Sequence, residues 1–483
     1  MVRRMEASLE IEENFFHLID GTLEVSKSSL PVINPSTESV FAKCPDASRE
    51  QLDSAVVAAR RSFSGWGKRS YEERATMLRG FGGAIIEHTE SLAEVLTREQ
   101  GKPLAQAKLE IQRAAAQYDR ITQIEVPSEV LVDDDKQRTE LRYRPLGVVG
   151  AITPWNVPVL LACGKIVQAL YTGNTMVLKP SPYTPLSTLM LGELAAKIFP
   201  PGVLNILAGG DNFGRWMTEH PDIDKISFTG SVAAGKKVMA SAAARLKRVT
   251  LELGGNDAAI VLEDVDPKKV APELFAAAFV NSGQICAAIK RVYVHESLYE
   301  EVGEKIAEEA RKAKFGDGFD PSSNYGPVNN KMQFEKLVDL IEDTKRSGAK
   351  ILTGGDMPDR KGYYINPTVV VDIDDDARLV KEEQFGPVLP ILKFSDPEDA
   401  IRRANGTRFG LSGSVWTNDL EKGEEIAARL EVGTARVNQH LGISPDIPFG
   451  GAKESGLGRE YSIVGLKGYM EPEVIHINKK AII

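Results

Sequence analysis

The chain of 483 residues carries a formal net charge of −9, with 42% hydrophobic and 26% charged residues. This length predicts two or more domains, because single hydrophobic cores stop growing at about 250–300 residues. The acidic balance argues against a nucleic-acid or acidic-membrane partner, since both attract a basic surface. Only three cysteines occur, Cys44, Cys163 and Cys286. They are too few for a disulfide framework and suit a reducing compartment.

Signals for secretion, membrane insertion and metal binding are missing from the sequence. Glutamates interrupt the N-terminal stretch where a secretory signal needs a continuous apolar run, at Glu6, Glu10, Glu12 and Glu13. No run of about 18 apolar residues occurs anywhere. The six histidines are scattered, with no HxH, HExxH or CxxC spacing. We therefore expect a cytoplasmic enzyme with no membrane span and no protein-bound metal.

The N-terminal part predicts short strands followed by helices. Residues 14–43 have the turn chemistry of short strands, and Ser48 with Gln51 forms a capping box that begins a helix. Helical patterns follow at about 71–99 and 104–124, separated by a Gly-Lys-Pro sequence.

Alternation of apolar and polar residues at 126–144 predicts a β-hairpin, and Val474–Ile477 has the same character. Neither segment carries enough core to stand alone. The hairpin is either a surface feature or an arm that adds strands to another subunit. The arm is favoured, because a long exposed edge otherwise invites aggregation.

Two successive strand–helix alternations predict two α/β units. The first has strands at 148–153, 175–178, 203–207, 226–228 and 249–251, with helices at 159–171, 186–198 and 232–246 between them. This order predicts a doubly wound parallel sheet, which binds ligands at the carboxyl ends of its strands. The second unit has strands at 259–262, 291–294, 364–371, 389–394, 413–415 and 434–437, and helices at 300–314 and 398–405.

Several polar groups stand where such sheets hold ligands, although each also has an ordinary structural explanation. Cys286, in NSGQICAA, is either a nucleophile or a small buried hydrophobe. Gly230 and Ser231 open a helix and suit either a phosphate or a simple turn. Lys179 stands at the end of a strand. It is either a hydrogen-bond donor to a ribose or phosphate or an ordinary solvated side chain.

Three further side chains have the same double interpretation. Asn156 lies between two prolines. It is either a hydrogen-bond donor to an oxyanion or a structural turn residue. Glu252 stands among leucines, as a base with a raised pKa or as a strand-end carboxylate bonding backbone N–H groups. Glu383 precedes a Gly-Pro turn. It belongs either to a ligand site or to an ordinary loop.

Taken together, these segments resemble the aldehyde dehydrogenase superfamily over essentially the whole chain. The matching segments are, in order, PWNVP, LKPSPYTP, FTGSVAAG, LELGGND, NSGQICAA, EEQFGPV and PFGGAKESGLGRE. The resemblance implies an α/β fold with a Rossmann-like doubly wound cofactor domain, a second α/β catalytic domain and a small β oligomerisation arm. It places the cofactor domain at residues 1–122 and 144–251, the catalytic domain at 252–455, and the arm at 123–143 and 460–483. A homodimer or homotetramer is expected.

The resemblance also implies roles for individual residues. Cys286 is the expected nucleophile, Asn156 with the Cys286 backbone N–H the oxyanion hole, and Glu252 the base that activates water. Lys165 and Glu460 are the expected supporting lysine and carboxylate. An aldehyde is then oxidised to the acid through a thioester on Cys286. The expected cofactor contacts are Thr153, Pro154, Trp155, Lys179, Ser181, Pro182, Gly210, Phe228, Thr229, Gly230, Ser231, Leu253, Gly254, Glu383 and Phe385.

Cofactor and substrate preference depend on positions where the chain departs from common family patterns. Pro182 replaces a glutamate that grips the adenosine ribose in many members, so NAD is expected with NADP possible. The expected substrate pocket is small and apolar, with Val157 and Gly164 at positions that are often aromatic. We therefore expect a medium-sized uncharged aldehyde, aromatic or aliphatic. The predicted pocket residues are Val157, Leu160, Gly164, Ile285, Ala287, His440, Ile443 and Phe449.

Competing interpretations are a semialdehyde dehydrogenase, a CoA-acylating aldehyde dehydrogenase, a glutamyl-phosphate-type reductase and a catalytically silent structural relative. No arginine in the pocket positions binds a substrate carboxylate, which argues against a semialdehyde acid. A water-activating base such as Glu252 argues against acyl transfer to CoA. The presence of Glu252 and the PFGG segment argues against the reductase, and an intact Cys286 argues against a silent relative.

Overall fold

The computed structural model describes residues 14–480. The expected lack of a secretory signal concerns residues 1–13 and lies outside the described residues, as do residues 481–483 of the expected arm. The strands are β1 (His17–Ile19), β2 (Thr22–Glu24), β3 (Ser28–Asn34), β4 (Ser39–Asp46), β5 (Glu129–Asp133), β6 (Gln137–Pro145), β7 (Val148–Ile152), β8 (Thr175–Lys179), β9 (Leu204–Ile206), β10 (Lys225–Thr229), β11 (Arg248–Glu252), β12 (Asp257–Val261), β13 (Ile289–His295), β14 (Lys350–Thr353), β15 (Thr368–Val371), β16 (Val388–Phe394), β17 (Phe409–Gly410), β18 (Ser412–Trp416), β19 (Thr434–Val437), β20 (Ala452–Lys453), β21 (Gly456–Leu457) and β22 (Met470–Asn478).

A short 3₁₀ turn, Val280–Gly283, precedes the Cys286 segment. The α-helices are α1 (Arg49–Trp66), α2 (Tyr71–Glu87), α3 (Thr89–Gln100), α4 (Leu104–Ile121), α5 (Pro158–Tyr171), α6 (Leu186–Ala195), α7 (Asp211–Glu219), α8 (Val232–Ala243), α9 (Pro267–Phe279), α10 (Tyr299–Lys312), α11 (Lys331–Arg346), α12 (Arg378–Lys381), α13 (Pro397–Asn405), α14 (Leu420–Ala428) and α15 (Ser462–Lys467). Within residues 14–480, no helix is long and apolar enough to cross a membrane.

The first sheet has the strand order β2–β1–β9–β8–β7–β10–β11–β21. Its five central strands run parallel, which confirms the predicted doubly wound sheet, whereas β1, β2 and β21 add antiparallel edges that the sequence did not predict. From β7 the chain winds to one side through β8 and β9, then returns to the other side through β10 and β11. Such an order opens a crevice at the carboxyl end of β7, where residues 153–157 lie.

The second sheet has the order β14–β15–β16–β13–β12–β18–β19 and is parallel except at β14. Its strand predicted at 364–371 begins only at Thr368. Pro367 precedes it and lacks the N–H that a ladder hydrogen bond needs. The sequence did not predict the helices α7, α9, α11 and α14 or the short helices α12 and α15.

The helix predicted at 71–99 is two helices. His88 leaves helical geometry (φ −103°, ψ 19°) and separates α2 from α3. The Thr89 hydroxyl donates to the Ile86 carbonyl oxygen at 2.7 Å, a local side-chain bond that competes with helix continuation. The predicted capping box of Ser48 and Gln51 is present at the start of α1.

A third sheet, β22–β6–β5, joins the predicted hairpin to the C-terminal strand. The pairing of β22 with β6 runs from Met470 opposite Pro145 to Asn478 opposite Gln137. Its outer surface exposes apolar side chains, namely Val130, Leu131, Val132, Val474 and Ile477. The sequence therefore identified both parts of this sheet.

Candidate active site

Cys286 follows a strained turn between α9 and β13. Three successive residues, Asn281, Ser282 and Gly283, have positive φ values of 50°, 56° and 74°. Left-handed geometry of this kind is costly for residues other than glycine and concentrates at functional sites. At Gly283 a Cβ would lie 2.2 Å from the Gly386 carbonyl oxygen, so a side chain does not fit. Cys286 is partly exposed, whereas Cys44 and Cys163 are buried.

The Cys286 thiol is electrostatically unfavourable to ionise. Burial raises its pKa to about 12, and the charges of Asp257, Glu252 and Glu383 act in the same direction. Lys290 opposes them by lowering the pKa. The thiol is therefore protonated near neutral pH, and a base must remove its proton before it becomes a strong nucleophile.

Asn156 is connected directly to the Cys286 turn. Its Nδ2 donates to the Gln284 carbonyl oxygen at 2.9 Å, and its own carbonyl oxygen accepts from Asn281 Nδ2 at 3.0 Å. An amide nitrogen carries two protons, so one donor remains for another acceptor. The Cys286 backbone N–H makes no hydrogen bond to any of residues 14–480. The two expected oxyanion donors are thus held in one structural unit.

Glu252 ends β11 and is buried without a hydrogen-bond partner among the described residues at either carboxylate oxygen. Burial raises its pKa well above the usual range, Glu460 raises it further, and Lys165 opposes the shift. At Gly450 a Cβ would lie 2.7 Å from Glu252 Oε1. Glycine therefore leaves room for a carboxylate that is poised to take up a proton.

Lys165 and Glu460 form a fully buried ion pair. Lys165 Nζ also donates to Ser227 Oγ at 2.9 Å, and the Tyr469 hydroxyl donates to the same oxygen at 3.0 Å. The pair links α5 to β10 and to the segment before α15. The charge of Lys165, together with that of Arg459, also opposes the raised pKa of Glu252.

The first-sheet crevice has the features of a phosphate and ribose site. Ser231 caps α8, with its hydroxyl accepting from the Ala234 N–H at 3.2 Å, which leaves unpaired N–H groups at the helix start. Lys179 ends β8, and burial lowers its pKa to about 8. At Gly230 a Cβ would lie 2.6 Å from the Phe228 ring, so the turn is tightly packed. The expected positions Ser181, Pro182 and Gly210 follow β8 or begin α7.

The Glu383 segment brings the second α/β unit to the same crevice. Glu383 Oε1 accepts from the Gly255 N–H at 3.0 Å, and at Gly254 a Cβ would lie 2.2 Å from Glu383 Oε2. The rings of Phe385 and Trp155 meet edge to face, with centroids 5.2 Å apart. These contacts join the second unit to the segments that follow β7 and β11. The expected positions Thr153, Pro154, Thr229 and Leu253 lie at or just after the carboxyl ends of β7, β10 and β11.

The predicted pocket residues are mostly apolar, and Ile285 and Ala287 are the chain neighbours of Cys286. Leu160, Ala287 and Phe449 belong to the same apolar cluster as Cys286. Val157 and Ile285 are partly exposed, and Ile443 is exposed. This part of the expected pocket is apolar.

Two predicted pocket positions need correction. The His440 side chain is fully buried, with Nδ1 2.8 Å from Ser414 Oγ and Nε2 3.8 Å from Asp257 Oδ2, so it does not present a polar group at the mouth. At Gly164 a Cβ would lie 2.8 Å from Gln117 Oε1 and 2.9 Å from the Tyr461 hydroxyl. Other side chains thus fill the space that a small residue was expected to leave.

Three residues of this region were not predicted to belong to the site, namely Tyr461, Lys102 and Lys290. Tyr461 follows the GRE segment and packs against Gly164. Lys102 was noted only within helix-ending chemistry, yet it pairs with Glu110 and donates to the Asn156 carbonyl oxygen at 3.0 Å. Lys290 lies under the Cys286 turn. Only the position of Lys102 beside a Gly-Pro junction offered a local signal, because the other contacts join distant segments.

The fold and this arrangement define an α/β protein with a doubly wound parallel sheet and a partly exposed cysteine whose turn is hydrogen-bonded to the Asn156 amide. A sequence profile of the aldehyde dehydrogenase family matches residues 23–475, and the chain belongs to that family. Chloroplastic betaine aldehyde dehydrogenase of Beta vulgaris is 39% identical, over 94% of this chain and 94% of its own length. Mitochondrial aldehyde dehydrogenase of Leishmania tarentolae is 36% identical, over all of both chains.

A solved structure supports the same family assignment. The NAD⁺ complex of aldehyde dehydrogenase from Bacillus cereus has a TM-score of 0.95 and 36% identity, covering 98% of each chain. The family and fold class predicted from the sequence are confirmed. Within residues 14–480, no group of three His, Cys, Asp or Glu side chains is placed to hold a metal ion.

Proposed function

We propose that the chain oxidises an aldehyde to its carboxylic acid with NAD as hydride acceptor and Cys286 as nucleophile. The observation that carries this proposal is the turn that joins Cys286 to the Asn156 amide, beside the buried and unpartnered Glu252 carboxylate. Family membership supports the reaction class. Residues of this chain would carry out the reaction in the following steps.

Cys286 first loses its proton, which we assign to Glu252, and the thiolate forms a C–S bond with the aldehyde carbon. The carbonyl oxygen accepts hydrogen bonds from Asn156 Nδ2 and the Cys286 N–H as its negative charge develops, a contribution worth about 10²–10³ in rate per donor. Bound NAD supplies the acceptor for the hydride that leaves the same carbon. A thioester on Cys286 remains.

Glu252 passes the thiol proton on to solvent and becomes a carboxylate again. It then takes a proton from water, and the hydroxide attacks the thioester carbon. The C–S bond breaks and the acid leaves, with Cys286 released as a thiolate. Lys165 and Glu460 are proposed to act as a supporting pair next to Glu252, because they are buried and bonded to each other.

The residues that would hold NAD are those of the crevice. The N-terminus of α8 at Ser231 suits the pyrophosphate, Lys179 the adenosine ribose, and Glu383 with Phe385 the nicotinamide ribose and ring. The start of α8, which a neutral serine caps, suits an anionic dinucleotide. The buried cation of Lys179 suits it as well. Because Pro182 offers no carboxylate to repel a 2′-phosphate, we propose that NADP is accepted as a weaker alternative.

The substrate is proposed to be a medium-sized uncharged aldehyde, aromatic or aliphatic. The betaine aldehyde dehydrogenase of Beta vulgaris is named for a quaternary ammonium aldehyde, a cation that proteins recognise with aromatic cages. Here the predicted pocket contains one aromatic side chain, Phe449, while Val157 and Gly164 carry none. The chain therefore does not offer such a cage from these positions.

The test is a panel of aldehydes assayed separately with NAD and NADP, with Cys286→Ala as the inactive control. Benzaldehyde-like and medium aliphatic aldehydes should be oxidised, NAD should be the better acceptor, and betaine aldehyde should be poor. Undiminished NADH formation by Cys286→Ala would contradict the mechanism. Products that require CoA would instead support the acylating alternative, which Glu252 argues against.

Assembly and location belong to the same proposal. The exposed apolar side chains of the β22–β6–β5 sheet, with residues 123–143 and 460–483 as the arm, are proposed to form contacts in a homodimer or homotetramer. Replacing Val130 and Val474 with lysine should lower the mass measured by light scattering; an unchanged mass would contradict the assignment.

A cytoplasmic location is proposed, and cell fractionation would test it against the organelles named for two relatives.

A further inference from the structure

Lys290 lies beneath the nucleophile turn and holds three of its backbone carbonyl groups. Its Nζ donates to the carbonyl oxygens of Cys286 at 2.6 Å, Ile285 at 2.9 Å and Ala288 at 3.2 Å. Only 3% of Lys290 is exposed. A buried ammonium has three donors, and here all three are directed at one turn. The turn is therefore wrapped around a positive charge.

This charge has no carboxylate bonded to it. Lys290 forms no ion pair with a carboxylate of residues 14–480. The groups that act electrostatically on the Cys286 thiol are Lys290, which favours the thiolate, and Asp257, Glu252 and Glu383, which disfavour it. The buried Tyr461 hydroxyl is a further neighbour, because Cys286 contributes to the raised pKa of Tyr461. An unneutralised buried charge acts over several ångströms in a poorly screened interior.

Asp257 approaches the same turn with the opposite charge. A Cβ at Gly255 would lie 2.6 Å from Asp257 Oδ1 and 2.8 Å from the Cys286 carbonyl oxygen, so the two groups share one small space. Both Asp257 oxygens are buried without a hydrogen-bond partner among the described residues. Replacing this carboxylate should therefore change the charge near the thiol without breaking a hydrogen bond.

Lys102 offers a natural contrast. It donates to the Asn156 carbonyl oxygen at 3.0 Å, just as Lys290 donates to that of Cys286. Unlike Lys290, it forms a buried ion pair, with Glu110. Glu110 Oε1 also accepts from the Val159 and Leu160 N–H groups at 3.0 and 3.2 Å. Lys102 thus holds the Asn156 backbone in place, while Glu110 neutralises its charge.

We propose that Lys290 is a positioning residue of the nucleophile turn, and that its unpaired ammonium shifts Cys286 towards the thiolate. The catalytic meaning of this role rests on the proposed function of Cys286. The electrostatic part stands apart from it, because thiol reactivity is measurable without aldehyde oxidation.

The experiment is the rate of Cys286 alkylation by iodoacetamide against pH, followed by mass spectrometry of the Cys286 peptide. Below the thiol pKa this rate follows the thiolate fraction, which falls about tenfold for each unit by which the pKa rises. Lys290→Met should slow alkylation near neutral pH by about tenfold or more, and Lys290→Arg should restore much of the rate. Asp257→Asn should accelerate alkylation, which general damage to the site would not produce.

The matched control is the double variant Lys102→Met/Glu110→Gln, which removes the neutralised pair. It should leave the alkylation profile unchanged and lower kcat through Asn156. Superimposable wild-type and Lys290→Met profiles would overturn the proposal. If Lys290→Met does not fold, Lys290→Gln decides: slower alkylation supports the proposal, and an unchanged or faster profile overturns it. Aldehyde oxidation retained by Cys286→Ala would overturn the proposed function while leaving the alkylation result interpretable.

Discussion

Glu252 and Glu460 are two buried carboxylates on either side of one lysine, and their surroundings differ. Glu460 pairs with Lys165 and accepts from Ser227 Oγ at 3.3 Å. Glu252 has no hydrogen-bond partner among the described residues, and its pKa is raised by burial and by Glu460. A satisfied buried charge stabilises a structure, whereas an unsatisfied one is costly and is retained where chemistry uses it.

The difference arises from what each neighbourhood provides. Glu460 reaches a cation because α5 and β10 present Lys165 and Ser227 to it. Glu252 instead lies between Leu251 and Leu253 and faces Gly450, which supplies no side chain. The same interior thus contains one carboxylate that is paired with a cation and another that has no hydrogen-bond partner among the described residues.

The largest expected effect is on turnover, and it distinguishes Glu252 from Glu460. Glu252→Gln should lower steady-state turnover by about 10²–10⁴, the usual contribution of a positioned base. The thioester should accumulate on Cys286 if another group or solvent can accept the thiol proton, giving a hydride burst in stopped-flow absorbance. Full steady-state turnover by this variant would show that another group activates water.

The second effect concerns stability. Glu460→Gln leaves the Lys165 charge buried and unpaired, which should lower the free energy of unfolding by about 3–5 kcal/mol. Denaturant unfolding measures this loss. The double variant Lys165→Met/Glu460→Gln should recover part of it, because no uncompensated charge remains. Equal stability of the wild type and Glu460→Gln would refute the contrast between the two carboxylates.

A smaller effect is expected at Gly450. Gly450→Ala introduces a Cβ 2.7 Å from Glu252 Oε1 and should cost about 1–3 kcal/mol in overpacking. Turnover should fall while the Lys165–Glu460 pair remains. Gly80→Ala is a matched control, because nothing lies within 4 Å of its Cβ position. Identical thermal unfolding of both variants would argue against close packing at Glu252.

The smallest effect depends on pH. Because the folded-state pKa of Glu252 is raised above its unfolded value, its contribution to stability is present below the unfolded pKa and is lost as pH rises through the folded pKa. Glu252→Gln removes this titration. Its stability relative to the wild type should therefore increase with pH, by about 1.4 kcal/mol for each unit of pKa shift. A constant difference between unfolding curves at acidic and alkaline pH would contradict this.

The sequence predicted the parallel centres of both sheets, because strands buried on two faces form short apolar runs between helical patterns. It did not predict the antiparallel edges β1, β2 and β21, whose pairing depends on distant segments. Motif resemblance placed Cys286, Asn156 and Glu252, which the structure gathers in one region. It could not find Lys290 or Tyr461, since their importance lies in contacts made through folding.

The ion pair between Lys165 and Glu460 spans 295 residues of sequence. During synthesis from the N-terminus, the lysine emerges with α5 long before its carboxylate is made. The Lys165 ammonium in α5 therefore lacks its partner until that carboxylate is in place. Contacts between such distant segments form slowly, so we expect the Lys165–Glu460 contact to close late in folding.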